Sequence, residues 1–259
     1  MAERRRPLEG RRALVTGGNT GIGRATCLRL GADGAAVALN YLRDPDAADE
    51  VVRQIGESDS AAVALEGDVG DEASVERFFA GAEEALGGPV DVLVNNAGIE
   101  MPYLLVDMPL DDWEKVLRVN LTGTFLCSRE LARRLPEDRD GVIVNVSSVH
   151  ELIPWPEFSH YCASKGAVKL FAQTIARELA PRVRVVNVGP GAIVTPINED
   201  WVDDPEARQR VLDEIPLDRL GQPEEIAGAV AWLASPDASY VTGTTVFVDG
   251  GMTTYPNFV

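Results

Sequence analysis

The chain has 259 residues and is 45% hydrophobic, which suits a single α/β domain with a large core. Lys plus Arg is 24 against 41 Asp plus Glu, a net charge of -17, so the surface repels nucleic acid and anionic membranes. Three scattered cysteines, Cys27, Cys127 and Cys162, and only two histidines offer neither a disulfide framework nor a metal-ligand spacing, which fits a reducing, cytoplasmic setting. No apolar run approaches membrane-spanning length, and Arg4 to Arg6 are followed by no apolar stretch of the kind an export signal needs.

The first predicted strand, Ala13 to Thr16, runs directly into TGGNTGIG at 16–23 and then into an amphipathic helix through Leu30. A strand, a glycine turn and a helix make a phosphate-binding unit. Gly17 permits the tight turn, Gly21 lets the backbone approach a pyrophosphate, and Gly23 allows close helix packing. The spacing is Gly-x-x-x-Gly-x-Gly. A second strand, Ala35 to Tyr41, ends at Asn40, and Arg43 follows two residues after Tyr41. A carboxylate at such a strand end selects NAD, and a basic residue suits the 2′-phosphate of NADP. With no carboxylate immediately at the strand end, and Asn40 and Arg43 nearby, NADP or NAD fits.

Helices near Asp46–Ile55 and Glu72–Leu86 alternate with strands Ala61–Leu65 and Asp91–Asn95, and a long helix is expected from about Asp111 to Leu135. The stretch 141–167 then reads as a buried strand (Val142 to Val146), two serines, a proline-broken loop around Trp155, and a helix starting near His160. On that helix Tyr161 and Lys165 are four apart and share a face. Ligands bind at the carboxyl ends of parallel strands, which is where Ser148 falls. A lysine ammonium beside a phenol favours the phenolate. Tyr161 with Lys165 can therefore take a proton from an alcohol while Ser148 holds the same oxygen, which suits alcohol oxidation or carbonyl reduction with a separate hydride carrier. Strand Arg182–Val188, helix Pro223–Ala234 and strand Thr245–Val248 complete the alternation. Repeated βα units indicate a parallel sheet covered on both faces, here one Rossmann-type domain over 1–259. The acidic, proline-bearing segment at 196–218 interrupts the alternation and is the expected substrate lid.

Together these stretches resemble the short-chain dehydrogenase/reductase family over nearly the whole chain. The matching motifs are TGGNTGIG, Asp68 in GDV, NNAG at 95–98, Asn120 in RVNLTG, Ser148, YCASK at 161–165 and PGAIVT at 190–195. The resemblance implies the strand order 3-2-1-4-5-6-7 and a homotetramer packed through the helices around 111–135 and 160–180. It implies cofactor contacts by Gly17, Asn19, Gly21, Ile22 and Gly23 in the turn, and by Asp68 at the adenine with Val69 beside it. Residues 95–98, with Asn95, Ala97 and Gly98 as the named contacts, would form a backbone floor, Lys165 would hold the nicotinamide ribose, and Pro190, Ile193 and Thr195 would place the carboxamide. Tyr161 would be the acid/base, Ser148 the donor to the substrate oxygen, and Asn120 the holder of a water leading from Lys165 to solvent.

SSVHELIPWPEFSHYCASKG, GPGAIVTPIN, PEEIAGAVAWLAS, SYVTG and DGGMTTYPNF are similar to the glucose 1-dehydrogenase branch, which implies oxidation of β-D-glucose at C1 to gluconolactone with NAD or NADP. A sugar site needs several hydrogen-bonding groups, because each buried hydroxyl left unpaired is costly. Glu100, His150 and Asn198 lie just after strand ends and are the candidates, while MPYLLVD at 101–107 is an apolar rim that suits a less polar alcohol. The competing reading is an NADPH-dependent reductase of a ketone or 3-oxoacyl thioester using the same residues in reverse; an acidic carrier protein is disfavoured by the net charge of -17. A non-catalytic nucleotide-binding protein has no chemical need for the full Asn120, Ser148, Tyr161 and Lys165 set.

Overall fold

The computed structural model describes residues 6–196 and 204–254. Seven parallel strands form one sheet in the order β3-β2-β1-β4-β5-β6-β7. The strands are β1 (Arg12–Thr16), β2 (Ala36–Tyr41), β3 (Ala62–Glu66), β4 (Val92–Asn95), β5 (Gly141–Val146), β6 (Val183–Pro190) and β7 (Thr245–Val248). The central strands are apolar on both faces because helices cover both. Under one face α1 (Gly21–Ala32), α2 (Pro45–Gly56) and α8 (Pro223–Ala234) pack Leu30, Ile55, Ile226 and Val230 against Val15, Val37 and Val144. Under the other, α3 (Glu72–Leu86), α5 (Gly123–Arg134) and α6 (Ser159–Leu179) pack Phe78, Phe79, Leu131 and Ala172 against Leu14, Leu93 and Ile143. The described residues include no helix long and apolar enough to cross a membrane.

The helix expected as one piece from 111 to 135 is three pieces. After α4 (Leu110–Leu117) the chain widens into a π-helical turn, Arg118–Thr122, and then continues as α5. Such bulges arise where side chains take over backbone partners. The Thr124 hydroxyl donates to the Asn120 carbonyl at 2.8 Å, and the Asn120 amide is tied in both directions to the Ile99 backbone, at 2.9 and 3.0 Å. None of these partners is visible in the local helical pattern.

At the amino ends of the central strands, away from the cleft, Asp91 has a fully buried side chain that accepts from the Arg12 N–H at 3.0 Å and from Arg139 Nε at 2.7 Å, with Arg11 at 3.3 Å. Replacing Asp91 by Ala strands two donors at the foot of β1 and leaves Arg11 without its counter-ion. We expect a loss of about 2–4 kcal/mol in stability by denaturant titration. A loss below about 0.5 kcal/mol would mean that water replaces the carboxylate there without cost.

Candidate active site

The carboxyl ends of the strands open into one cleft of about 1910 Å³. A drug-sized ligand pocket spans roughly 300–1,000 Å³, so the cleft has room for a dinucleotide and a second small molecule. At its floor β1 turns into α1 through Gly17 (φ 61°) and Gly21 (φ 51°), backbone that favours glycine. A Cβ on Gly23 would lie 2.0 Å from the Gly17 carbonyl oxygen, so only hydrogen fits there. The turn is braced from β4. Asn96 Nδ2 donates to the Thr16 and Gly17 carbonyls at 2.9 and 3.0 Å, while the Thr16 hydroxyl accepts the N–H groups of Asn96 and Ala97, both at 3.0 Å. Thr16 and Asn96 fall within the expected turn and floor, but the side-chain bonds by which they brace each other's segments were not legible in the sequence. Free N–H groups at the start of α1 then face the cleft, which fits a pyrophosphate.

Near the end of β2, Asn19 Nδ2 donates to the Arg43 carbonyl at 2.9 Å, and both residues line the cleft with Ile22. Asn40 is buried, and its amide donates to the Gly67 and Leu65 carbonyls at 2.9 and 3.3 Å. Its donors thus pin β2 to the end of β3 and are not offered to a ribose, a correction to the expected contact. Asp68 lines the cleft beside Val69, but its carboxylate accepts from the Gly70 N–H at 2.8 Å and from Arg118 at 2.7 Å. Burial pushes that carboxyl up, but Arg118 and the Gly70 N–H outweigh it and hold it below the usual range. Arg118, on the π turn, was not anticipated. Asn95 departs from expectation too: its side chain points into the sheet, donating to Asn145 and Ser128 at 2.8 and 3.1 Å, and the cleft floor is Asn96, Ala97 and Gly98.

Ser148, Tyr161 and Lys165 come together as expected, the serine from the end of β5 and the other two from the first turns of α6. The Ser148 Oγ accepts the His150 N–H at 3.1 Å. Lys165 Nζ donates to the Val146 carbonyl at 2.9 Å and lies 5.5 Å from the centre of the Tyr161 ring. The ammonium is therefore over the ring. Burial raises the phenol above its ordinary pKa, the Glu100 charge adds to that, and the Ser148 hydrogen bond opposes it. The net direction is upward, so the Lys165 ammonium does not bring the phenol below its ordinary value in the protein alone. Burial pushes Lys165 down to about 8, against the charges of Glu100 and Glu151. Burial likewise pushes Glu100 up to about 7, with Lys165 opposing. Asn120 is buried behind the floor, donating to Ser164 Oγ at 3.1 Å and fixing the loop that carries Gly98 and Ile99.

Pro190, Ile193 and Thr195 line the cleft, with Ile193 bridged to Gly221. The opposite wall is aromatic. His150 stacks on Trp155 at 4.4 Å, Trp155 on Phe158 at 3.7 Å, and both His150 and Trp155 present edges to Tyr161. His150 Nδ1 bonds the Ile153 carbonyl at 3.1 Å. Burial lowers its pKa, the Ile153 carbonyl opposing. Asn198 lies outside the described residues. Of the 196–218 segment, α7 (Pro205–Leu212) is described and brings Ala207, Arg210 and Val211 to the cleft.

A glycine-braced phosphate turn and a Ser-Tyr-Lys set share this cleft, and a family profile described as Enoyl-(Acyl carrier protein) reductase matches residues 17–253. The chain belongs to the short-chain dehydrogenase/reductase family. This short-chain dehydrogenase/reductase is 47% identical over 253 residues to the 3beta-hydroxysteroid dehydrogenase 1 of Eggerthella lenta, covering 97% of each chain. It is 42% identical to the Glucose 1-dehydrogenase 2 of Bacillus subtilis, covering 96% of this chain and 97% of that one. The crystal structure of a short-chain dehydrogenase from Burkholderia cenocepacia in complex with NADP superposes with a TM-score of 0.89 at 36% identity, covering 95% of this chain and 99% of that one. The protein is thus an enzyme acting on hydroxyl or carbonyl groups, and nicotinamide dinucleotide use is characteristic of its family.

Proposed function

We propose that this enzyme oxidises a sugar hydroxyl, with C1 of β-D-glucose as the leading substrate and gluconolactone as product. One observation carries the choice. Glu100 is half-buried beside Tyr161 and Lys165, and among the described residues its carboxylate has no hydrogen-bond donor. A part-buried carboxylate lining the cleft is a ready acceptor, and polyol hydroxyls supply the donors. The stacked His150–Trp155–Phe158 wall suits the apolar face of a pyranose.

In this reading Ser148 holds the C1 oxygen by a hydrogen bond, and Tyr161 takes the C1–OH proton as the C1–H bond breaks. Lys165, donating to the Val146 carbonyl, keeps a positive charge over the tyrosine ring as its phenol changes protonation. NAD or NADP, when bound, supplies the acceptor for the hydride. The Gly17–Gly23 turn and the start of α1 would hold its pyrophosphate, with Arg43 available to a 2′-phosphate. α7, within the expected lid, borders the substrate end through Ala207, Arg210 and Val211.

The test is near-ultraviolet absorbance of the reduced nicotinamide with D-glucose and either dinucleotide, alongside other sugars and a 3β-hydroxysteroid. Glucose turnover supports the reading. Steroid turnover without sugar turnover supports the second reading, a bulky apolar alcohol, which Ile153, Pro154, Met101, Pro102 and the exposed Leu104, Leu105 and Val106 favour.

Glu100 also predicts a pH limb. A carboxyl raised to about 7 becomes a two-oxygen, charged acceptor for substrate hydroxyls only above that pH; below it, one oxygen carries a proton. We expect kcat/KM for glucose to climb as pH rises through about 7, and Glu100→Gln to flatten the climb. An unchanged climb in the variant assigns it to another group.

Assembly through the outer faces of α5 and α6 is supported by exposed Leu170 and by the Phe125–Phe171 pair at 6.3 Å. We propose a homotetramer, which sedimentation returning a monomer would remove. Free thiols at Cys27, Cys127 and Cys162 support a cytoplasmic setting, which cell fractionation tests.

A further inference from the structure

A polar ladder crosses the sheet in register. Asn95 pairs with Asn145, Asn145 with Asn187, and Asn187 with Thr245, on β4, β5, β6 and β7. Every amide donates in the same direction: Asn95 to Asn145 at 2.8 Å, Asn145 to Asn187 at 2.9 Å, and Asn187 to Thr245 at 3.5 Å. At the β4 end Asn95 also donates to Ser128, whose hydroxyl donates to the Thr124 carbonyl, and Thr124 holds the Asn120 carbonyl. At the β7 end the Thr245 hydroxyl donates to Glu151 Oε1 at 2.8 Å. A row of donors all pointing one way needs an acceptor-only terminus, and an ionised carboxylate is one.

Glu151 is that terminus. Its side chain is fully buried, on the short 3₁₀ turn that follows Ser148. Its other oxygen accepts from Ser147 at 2.6 Å, and its own N–H donates to the Ser148 carbonyl at 3.1 Å. Lys169, one turn beyond Lys165 on α6 and 30% exposed, places Nζ 3.7 Å from it. We propose that Glu151 is a positioning residue for the chemistry at Ser148, Tyr161 and Lys165: hydrogen bonds on both its oxygens anchor the Ser147–Ser148 turn to β7 and fix a carboxylate among the charged groups around Lys165. The inference rests on the assignment of that trio and is independent of which alcohol is oxidised.

The groups whose charge bears on Lys165 are Glu100 from the β4–α4 loop, Glu151 from the turn, Tyr161 on its own helix and Lys169 through Glu151. Of these, Glu100 and Glu151 both favour the ammonium. Glu151 is the better placed to act steadily, because hydrogen bonds hold both its oxygens while Glu100 has none among the described residues.

The chain has three lysines, Lys115, Lys165 and Lys169, so lysine-labelled NMR resolves the Lys165 titration without any substrate. Glu151→Gln is expected to move it down by about one unit, because a charge that favours the ammonium is gone. Lys169→Met, at a partly exposed site, removes the competing cation and is expected to move it up. In turnover with whichever alcohol the enzyme accepts, Glu151→Gln should lower kcat roughly tenfold with little change in KM, and its alkaline limb should retreat to lower pH. Titrations that stay in place in both variants overturn the proposal, whether or not Glu151→Gln is less stable. Opposed shifts in an enzyme that oxidises no sugar would sustain it while removing the sugar reading. Sugar turnover with both titrations unmoved would do the reverse.

Discussion

Tyr161→Phe should lower kcat by about 10²–10⁴-fold, the usual contribution of a positioned acid/base. Removing the hydroxyl keeps the ring that His150 and Trp155 contact edge-on and the ring over which Lys165 sits, so the cleft should keep its shape. Dinucleotide affinity, read by fluorescence titration, should stay within about threefold, since phosphate binding lies with the glycine turn. The separation of the two readouts is what matters. Lost turnover with retained binding assigns the proton to Tyr161. Turnover near the wild-type rate would move the acid/base role elsewhere, with Glu100, raised to about 7, the next group to test. The resting state of the phenol sharpens this. Burial and the Glu100 charge both disfavour the phenolate, and only the Ser148 hydrogen bond helps it. In the proposed reading, the phenolate that accepts the alcohol proton would be favoured once a bound dinucleotide brought its positive ring beside Tyr161, with the Lys165 ammonium over the tyrosine ring adding to it.

Gly23→Ala should abolish dinucleotide binding in practice. The added Cβ would meet the Gly17 carbonyl oxygen at 2.0 Å and Asn96 Nδ2 at 2.5 Å. The first is backbone and the second is the brace of the turn, so neither yields without opening the phosphate cradle. At a dinucleotide concentration about 100 times Kd, binding stabilises a wild-type fold by about 2.7 kcal/mol. The wild-type protein should thus show a clear rise in Tm with NADP or NAD, and the variant none. Gly166→Ala is the matched control, because a Cβ there meets nothing within 4 Å. A Gly23→Ala protein that keeps its ligand-induced shift would show that the pyrophosphate lies outside this turn.

The strands and most helices could be read from the chain because each is a local matter. Runs such as Val142 to Val146 are β-branched and uniformly apolar, as strands covered on both faces must be. The single-piece helix at 111–135 failed for the opposite reason. What splits it are bonds from Asn120 to Ile99 and from Thr124 back to Asn120, and the first of these joins segments 21 residues apart. At the cleft, residue identity was legible wherever a motif stood for a chemical necessity. The glycines of the turn, Ser148, Tyr161 and Lys165 are of that kind. Where a polar side chain had two possible partners, the sequence reading chose the ligand and the fold chose the protein. Asn40 spends its donors on β3, and Asn95 spends its own on Asn145.

By itself the sequence determined the order of βα units, the phosphate turn and the spacing that sets Tyr161 and Lys165 on one helical face, because these depend on residues within a few positions of one another. The tertiary structure alone decided which polar groups are free to meet a ligand and which are consumed. It aligned Asn95, Asn145, Asn187 and Thr245 across four strands and ended the row on Glu151. It left Glu100 half-buried without a donor among the described residues, and it seated Lys165 under Val146. The physical reason is that a buried polar group must find a partner wherever the packing puts one, and parallel crossovers bring those partners from segments that no local pattern connects.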